Sequence, residues 1–271
     1  MDFLQAVFLG IVEGLTEFLP VSSTAHLMMA AKALGIEQSG FVKSFEIAIQ
    51  LGAILAVVFL YGKIFLRSIE VWKKVIAAFL PTGVIGFLAY KIVKGFLLES
   101  YFTVFWTLFL GGIFIIAFEF FLKRRNEGGG GGSLSEKETS VEEEIKFISY
   151  KEALIIGTAQ ALAVVPGVSR SAATIIAGLF LGIKKKAIVE FSFLLAVPTM
   201  LAATIYDAYK NFSLFSFSGG GKIIVVGFVV SFIFAVLSVK FFLGFIRKKY
   251  FTVFGIYRII IALAFLLIFL V

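Results

Sequence analysis

Long runs of apolar residues alternate with short polar segments along this chain. A membrane-spanning helix needs about 20 mostly apolar residues in succession. Six runs come close to or exceed that length and predict spanning helices at 45–62, 74–95, 101–122, 188–206, 222–246 and 252–270. Two further apolar stretches, 3–35 and 152–182, are interrupted around Pro20 and Pro166. The pattern predicts an all-α, polytopic integral membrane protein with six spanning helices and two broken helical segments.

The composition supports the membrane class and excludes others. Hydrophobic residues occupy 60% of the 271 positions and charged residues 15%, whereas soluble domains carry about 25% charged residues. The absence of cysteine excludes disulfides and thiolate chemistry. The net charge of +8 comes from lysines and arginines that lie between the apolar runs, which favours membrane topology over nucleic-acid binding. The first residues lack the pattern of a removable signal peptide.

The two interrupted stretches resemble each other at a fixed offset of 147 residues. The aligned positions are Pro20-Val21-Ser22-Ser23-Thr24 with Gly167-Val168-Ser169-Arg170-Ser171, Gly10 with Gly157, Glu13 with Gln160, and Leu34-Gly35-Ile36 with Leu181-Gly182-Ile183. Each stretch precedes three predicted spans, which predicts an internal repeat within one membrane domain. Repeat 1 covers 1–122, a flexible Gly-rich and acidic cytoplasmic linker covers 123–149, and repeat 2 covers 150–271. Chance similarity between apolar segments is the alternative.

Positive charge predicts the orientation of the spans. If each interrupted stretch enters and leaves on one side, the loops form a basic set and a less basic set. The basic set contains Lys63, Arg67, Lys73, Lys74, Lys123, Arg124, Arg125, Lys184, Lys185, Lys186, Arg247, Lys248 and Lys249. The other set contains Lys32, Lys43, Lys91, Lys94, Lys210 and Lys222. The basic side should be cytoplasmic, which places both termini outside and makes the halves an inverted-topology repeat with two re-entrant segments.

The breaks at Pro20 and Pro166 predict a site for an anion. Proline disfavours helix, and the hydroxyl residues after each break can cap a new half-helix. The N-terminus of such a helix attracts anions, and the planar guanidinium of Arg170 suits phosphate. The residues predicted to contact phosphate are Ser22, Thr24, Gln160, Gly167, Ser169, Arg170 and Ser171, with Thr174 a weaker candidate. The alternative is two helix kinks, with Arg170 reaching towards the membrane surface.

Glu13 and Glu17 are four residues apart, on one helix face, in an otherwise apolar run. Carboxylates at such positions are costly and are usually functional. They predict a site for a hard divalent cation, Mg²⁺ or Ca²⁺, or a general base. A solvated entrance face is the alternative. Glu46 and Glu190 occupy similar places in the two halves and could equally be structural.

His26, the single histidine, follows Ser23 by three residues and shares its helix face. An imidazole beside a hydroxyl can act as an acid, a base or a nucleophile. A lone histidine can also be a buried residue whose hydrogen bonds are satisfied. The neighbouring acids and hydroxyls favour the catalytic interpretation.

The segments "GIVEGLTEFLPVSSTAHL", "FEIAIQLGAILAVV", "PGVSRSAATI" and "EFSFLLAVPTMLAAT" resemble the undecaprenyl-diphosphatase family of the BacA/UppP type over essentially the whole chain. The family's E-x-x-x-E motif matches Glu13 and Glu17, its serine and histidine match Ser23 and His26, and its P-G-x-S-R-S arginine matches Arg170. One departure is Ala25, where the family commonly has glycine.

The resemblance implies hydrolysis of undecaprenyl diphosphate to undecaprenyl phosphate and inorganic phosphate, which recycles the lipid carrier of the bacterial envelope. It also implies a divalent cation, a site open to the outer leaflet of the cell membrane, and bacitracin resistance on overproduction. We expect Arg170 to hold the diphosphate, Glu17 with Glu13 to bind the metal or tune the base, and Ser23 assisted by His26 to attack phosphorus. Attack by His26 or by a water positioned there stays open.

The expected partners are undecaprenyl diphosphate and membrane lipids, with no nucleic acid. The oligomeric state stays open, with a homodimer as one arrangement. A lipid-carrier flippase or an anion transporter is the alternative function, because inverted repeats with broken helices are typical of transporters.

Overall fold

A computed structural model describes residues 1–37, 39–92, 100–128, 141–210, 220–248 and 250–269. In these ranges the chain forms eleven α-helices and no strand. The helices are α1 Phe3–Thr16, α2 Ser23–Ala33, α3 Gly40–Arg67, α4 Ile69–Ile92, α5 Tyr101–Gly128, α6 Val141–Lys146, α7 Tyr150–Gln160, α8 Arg170–Phe180, α9 Lys185–Lys210, α10 Gly221–Lys248 and α11 Thr252–Phe269. A 3₁₀ turn, Ala161–Val164, extends α7.

Six of these helices are long and apolar enough to cross a membrane, which makes the chain a multi-pass membrane protein. They contain the spans Gly40–Ile64, Ile69–Ala89, Tyr101–Arg125, Lys185–Tyr206, Gly221–Ile246 and Thr252–Phe269. The six predicted spans are therefore confirmed, although residues 93–95 and 270 lie outside the described residues. Large apolar side chains such as Phe59, Phe87 and Leu267 are about two-thirds exposed or more, as lipid-facing residues are.

Both interrupted stretches form a helix, a turn and a second helix. Helices α2 and α8 each contain eleven residues and begin 147 positions apart. They end alike, because Gly35 and Gly182 adopt positive φ angles of 63° and 84°. Two hydrogen bonds close these ends, from the Ile36 N–H to the Ala31 carbonyl at 2.9 Å and from the Ile183 N–H to the Gly178 carbonyl at 3.0 Å. This is the glycine-dependent Schellman ending of a helix.

The helices of the two halves pack against each other. Helix α1 packs on α10, α7 packs on α4, and α5 packs on α11. Glycines permit this close approach: a Cβ on Gly14 would lie 2.5 Å from the carbonyl oxygen of Ser231, and one on Gly157 would overlap the carbonyl of Ala78. Each broken stretch is thus supported by a spanning helix from the other half of the chain.

The predicted flexible linker, 123–149, needs correction at both ends. Its first residues continue α5 to Gly128, and its last residues include α6. Ile145 and Ile148 are buried, and the Lys74 ammonium donates to the carbonyl of Lys146. Apolar burial therefore fixes residues 141–149 against the spans. The acidic composition of the segment had predicted a solvated linker instead. The Gly-rich part, 129–140, lies outside the described residues.

Candidate active site

The turn between α1 and α2 supplies the first half of the site. Helix α1 ends at Thr16, before Pro20, and α2 begins at Ser23. Between them Ser22 has a φ of 72°, and it is the only non-glycine residue with positive φ in the described part of the chain. Such a conformation costs on the order of 1–3 kcal/mol and is concentrated at functional sites. The first break is therefore a strained turn held by its surroundings.

The turn before α8 supplies the second half. Gly167 has a φ of 88°, and a side chain there would overlap the hydroxyl of Thr107. That hydroxyl lies 2.8 Å from the carbonyl oxygen of Pro166 and also within 3.0 Å of two carbonyl oxygens of its own helix. Helix α8 then begins at Arg170, and the Ser169 hydroxyl caps it by accepting from the Ala172 N–H at 3.2 Å.

The two breaks contact each other directly. The Ser171 hydroxyl donates to the carbonyl of Leu19 at 2.8 Å, and the Ser169 hydroxyl lies 3.4 Å from the same oxygen. The two hydroxyls are 3.0 Å apart. Two residues predicted as phosphate contacts thus hold the second break against the first.

Glu17 lies where the halves meet. Its carboxylate accepts a hydrogen bond of 2.5 Å from the Ser23 hydroxyl through one oxygen. Its other oxygen pairs with the Arg170 guanidinium at 3.1 Å. All three side chains are largely buried, with Glu17 and Arg170 only 7% and 11% exposed. A carboxylate in this position can accept the proton of the hydroxyl, and the guanidinium orients that carboxylate.

Arg170 keeps donors free for a ligand. Its Nε and Nη1 atoms are buried and have no hydrogen-bond partner among the described residues. Buried donors are normally paired, and the exceptions call for an explanation. An anion with several oxygens would satisfy these donors, because a guanidinium directs N–H groups outward from all three of its nitrogens in one plane.

Glu13 is completely buried beside this pair. No N–H or O–H of the described residues donates to its carboxylate oxygens, and its carboxyl group lies within hydrogen-bonding range of the Glu17 carboxylate. It interacts electrostatically with Glu17, Glu46 and Arg170. Unpaired carboxylate oxygens next to a second carboxylate suit a hard cation that prefers oxygen ligands. Within the described residues no three acidic or histidine side chains form a metal cluster, so such a cation would need further oxygens from a ligand or water.

His26 has partners at both ring nitrogens. Its Nδ1 lies 2.7 Å from the carbonyl oxygen of Ser22, and its Nε2 lies 2.8 Å from the hydroxyl of Tyr257 on α11. A carbonyl only accepts, so we assign the Nδ1–H tautomer, whose Nε2 accepts from the tyrosine. The imidazole therefore supports the strained Ser22 turn, while Ser23 contacts Glu17 instead.

Arg258 on α11 is the largest fully buried side chain of the described residues. Its guanidinium donates to the carbonyls of Thr107 at 2.9 Å and Gly167 at 3.0 Å, with a longer contact of 3.5 Å to the carbonyl of Pro20. It therefore contacts the backbone of both breaks.

A polar cavity of about 120 Å³ lies between the breaks. It is lined by Glu17, Ser22, Ser23, Thr24, Gln50, Ala163, Val168, Ser169, Arg170 and Met200. Six of the predicted residues thus meet at one cavity, whereas Gly167 and Ser171 shape the break behind it. The Ser22 hydroxyl is buried and unpaired among the described residues, so it is available to a ligand.

Gln160 does not line this cavity. Its amide donates to the hydroxyls of Thr82 and Thr199, at 3.0 Å each. The Thr82 hydroxyl in turn donates to the carbonyl of Gly157 at 2.7 Å. The structure therefore places Gln160 in a buried polar cluster between α4, α7 and α9.

Sequence reasoning missed Gln50, Tyr257 and Arg258. Arg258 could have been predicted as functional, because it is the one charged residue of the apolar run 252–270. Tyr257 and Gln50 stand out only once α3 and α11 are placed beside the breaks. The cavity wall places the Ser23 hydroxyl next to the Glu17 carboxylate and beside the Arg170 guanidinium, which has free donors. This set can bind an oxyanion and transfer a phosphoryl group.

Comparison with known proteins agrees with this chemistry. The family model described as "Bacitracin resistance protein BacA" matches residues 6–264. An undecaprenyl-diphosphatase of Persephonella marina is 51% identical over 267 residues, covering 98% of this chain and 99% of the relative. Proteins of the same name from Aquifex aeolicus and Wolinella succinogenes are 47% and 50% identical, with at least 96% of each chain covered. A match along almost the whole chain, with the paired acids, hydroxyls and arginine of the cavity in place, makes this membrane protein a member of the BacA family.

Proposed function

We propose that this protein is an undecaprenyl-diphosphatase, which hydrolyses undecaprenyl diphosphate to undecaprenyl phosphate and inorganic phosphate. The observation that carries the proposal is the contact of Glu17 with both Ser23 and Arg170 at the wall of one polar cavity. The relatives with the printed name undecaprenyl-diphosphatase support it. On this proposal the enzyme recycles the envelope lipid carrier, and its overproduction raises bacitracin resistance.

Arg170 and the start of α8 bind the diphosphate. The free Nε and Nη1 donors of Arg170 point to a ligand with several oxygens. Arg170 is also the first residue of α8, and Ser23 is the first residue of α2, so unpaired backbone N–H groups accompany both side chains. The lipid tail extends from the cavity between the spans into the bilayer.

Ser23 is the nucleophile and Glu17 is its base. The Ser23 oxygen bonds to the terminal phosphorus as the bond from that phosphorus to the bridging oxygen breaks, and Glu17 accepts the hydroxyl proton. Undecaprenyl phosphate leaves with the bridging oxygen. Water then cleaves the phosphoserine, which releases inorganic phosphate and restores the hydroxyl. The 2.5 Å hydrogen bond between Ser23 and Glu17 favours this assignment over assistance by His26, whose nitrogens contact Ser22 and Tyr257.

Glu13 and Glu17 fit a divalent cation, Mg²⁺ or Ca²⁺. The support is the buried Glu13 carboxylate, which receives no N–H or O–H donor from the described residues and lies beside Glu17. When bound, such a cation supplies positive charge that offsets the negative charge of the phosphate oxygens.

The orientation is a further part of the proposal. The basic loops lie in the cytoplasm, both termini lie outside, and the broken stretches re-enter so that the cavity opens to the outer leaflet of the bacterial cell membrane. The matching ends of α2 and α8 and the pairing of α1 with α10 and α7 with α4 support an inverted repeat. A homodimer is the oligomeric state to test, by light scattering of the purified protein in detergent.

The test measures phosphate release from undecaprenyl diphosphate by purified protein in detergent, with Mg²⁺, with Ca²⁺ and with a chelator. We expect cation-dependent release that Arg170→Ala abolishes and that Arg67→Ala, at an exposed arginine, leaves unchanged. No release from folded wild-type protein would overturn the phosphatase proposal and favour a transporter. Undiminished phosphate release in the presence of the chelator would show that the reaction needs no divalent cation.

A further inference from the structure

We infer that Arg258 is a positioning residue that fixes the two broken stretches against each other and so aligns the two halves of the active site. The inference rests on the proposed phosphatase function for its kinetic consequence. Its structural content, a clamp between the breaks, stands on the contacts of Arg258 alone.

The contacts identify what Arg258 holds. Its Nη2 donates to the carbonyls of Gly167 in the second break and Thr107 on α5, and its Nη1 lies 3.5 Å from the carbonyl of Pro20 in the first break. The Thr107 hydroxyl also contacts the second break, because it lies 2.8 Å from the carbonyl oxygen of Pro166. One guanidinium thus connects both breaks to the pair of spans α5 and α11.

The fold keeps space for this guanidinium. Gly111 on α5 lies against it, and a Cβ there would be 2.5 Å from Nη2 and 3.0 Å from the central carbon Cζ. The packing of α5 on α11 needs no arginine, because Gly112 and Gly255 already bring the two backbones together. The absence of a side chain at Gly111 therefore leaves the space that the Arg258 guanidinium occupies.

Core packing alone does not explain a buried arginine at position 258. Arg258 is 2% exposed, and in the described part of the chain no carboxylate lies within ion-pair distance of it. Burying a cation without a counter-ion is unfavourable, and apolar residues usually pack a core at lower cost. Three carbonyl oxygens compensate the charge, those of Gly167 and Pro20 in the two breaks and that of Thr107 on α5.

Alignment of the breaks decides the geometry of the reaction. Glu17 and Ser23 lie on either side of the first break, and Arg170 directly follows the second. The reacting phosphorus must lie in reach of all three. A misplacement of about 1 Å between such groups can reduce the rate about 100-fold.

The kinetic test compares Arg258→Met, Arg258→Lys and Gly111→Ala with the wild type, using undecaprenyl diphosphate and folded, monodisperse protein. In Arg258→Met we expect kcat to fall about 100-fold and KM to change less than about 3-fold, because Arg170 still holds the diphosphate. Arg258→Lys should recover part of the loss. Gly111→Ala, which displaces the guanidinium while keeping its charge, should follow Arg258→Met, whereas Gly244→Ala, where a Cβ meets nothing within 4 Å, should match the wild type.

A second readout needs no activity. Since the chain has no cysteine, single cysteines can replace Val21 in the first break and, as a matched control, Val71 on α4. Both valines are 2% exposed. We expect Arg258→Met to accelerate maleimide labelling at position 21 at least about tenfold, the local opening expected of a released break, and to leave position 71 unchanged.

The outcomes separate the two proposals. Unchanged kcat in folded Arg258→Met, or equal acceleration of labelling at both cysteines, would overturn the clamp. If the wild type releases no phosphate, the phosphatase proposal fails, and the labelling still decides whether Arg258 holds the breaks. If Arg258→Met does not fold, Arg258→Lys and Gly111→Ala carry the same comparison.

Discussion

At the scale of single residues, Glu17 connects the two halves of the site. It accepts from Ser23 and pairs with Arg170, beside a buried Glu13. Glu17→Gln keeps the size of the side chain but removes the carboxylate, which is the proposed base. We expect phosphate release to fall on the order of 10³-fold, the typical contribution of a general base.

The measurement is the steady-state rate per folded protein, with Glu37→Gln, at an exposed glutamate, as the control. A Glu17→Gln variant with more than a tenth of wild-type activity would contradict the assignment of Glu17 as the base.

Ser22 offers a stability prediction, because its positive φ disfavours any side chain. Glycine adopts this conformation at no steric cost. We therefore expect Ser22→Gly to be more stable than Ser22→Ala by about 1 kcal/mol. Thermal unfolding in detergent measures the difference.

Ser238, another buried serine, provides the matched control for this comparison. It lies inside α10, where alanine is preferred over glycine by about 1 kcal/mol. At this position the alanine variant should therefore be more stable than the glycine variant. The same order at both positions would show that the strain at Ser22 does not govern its stability.

At the scale of helices, the contact of α1 with α10 holds the acids in place. A Cβ on Gly14 would lie 2.5 Å from the Ser231 carbonyl oxygen and 2.8 Å from the Ala235 nitrogen. We expect Gly14→Ala to lower stability by about 1–3 kcal/mol through overpacking. Because α1 carries Glu13, phosphate release should fall as well.

Gly62→Ala on α3 is the control for Gly14→Ala, because a Cβ there meets nothing within 4 Å. Alanine favours helix over glycine, so this variant should be at least as stable as the wild type. Thermal unfolding and phosphate release are measured on both variants. Equal stability of Gly14→Ala and Gly62→Ala would contradict the close contact of α1 with α10.

Helices could be predicted from the sequence because their signals are local. The six spans follow from apolar runs, and the breaks follow from Pro20 and Pro166. The buried end of the linker could not be predicted, since Ile145 and Ile148 are buried by helices distant in sequence. The same limit applies to the site: Glu17, Ser23 and Arg170 stand out as polar residues in apolar runs, whereas the contact of Tyr257 with His26 depends on tertiary packing.

At the scale of the whole molecule, the two halves complete each other. Helix α1 packs on α10 and α7 on α4, and the site takes residues from both halves. We expect fragments 1–133 and 134–271 to be inactive when each is expressed alone and to regain phosphate release when they are expressed together. Co-purification of a tagged fragment with its untagged partner, followed by the phosphate assay, measures the assembly.

A single fragment with activity of its own would contradict this interdependence. Co-purification without activity would show that the helices assemble while the breaks do not align.

The position of Arg258 and Tyr257 on α11 has a consequence for biosynthesis. Every other helix of the described residues precedes α11 in the chain, and these two side chains contact both breaks and His26. While the ribosome still holds α11, the nascent protein therefore lacks the contacts of Arg258 and Tyr257 with its site. Maturation of the site then follows insertion of this helix, so a ribosome stalled in the α11 codons would display inserted but inactive chains.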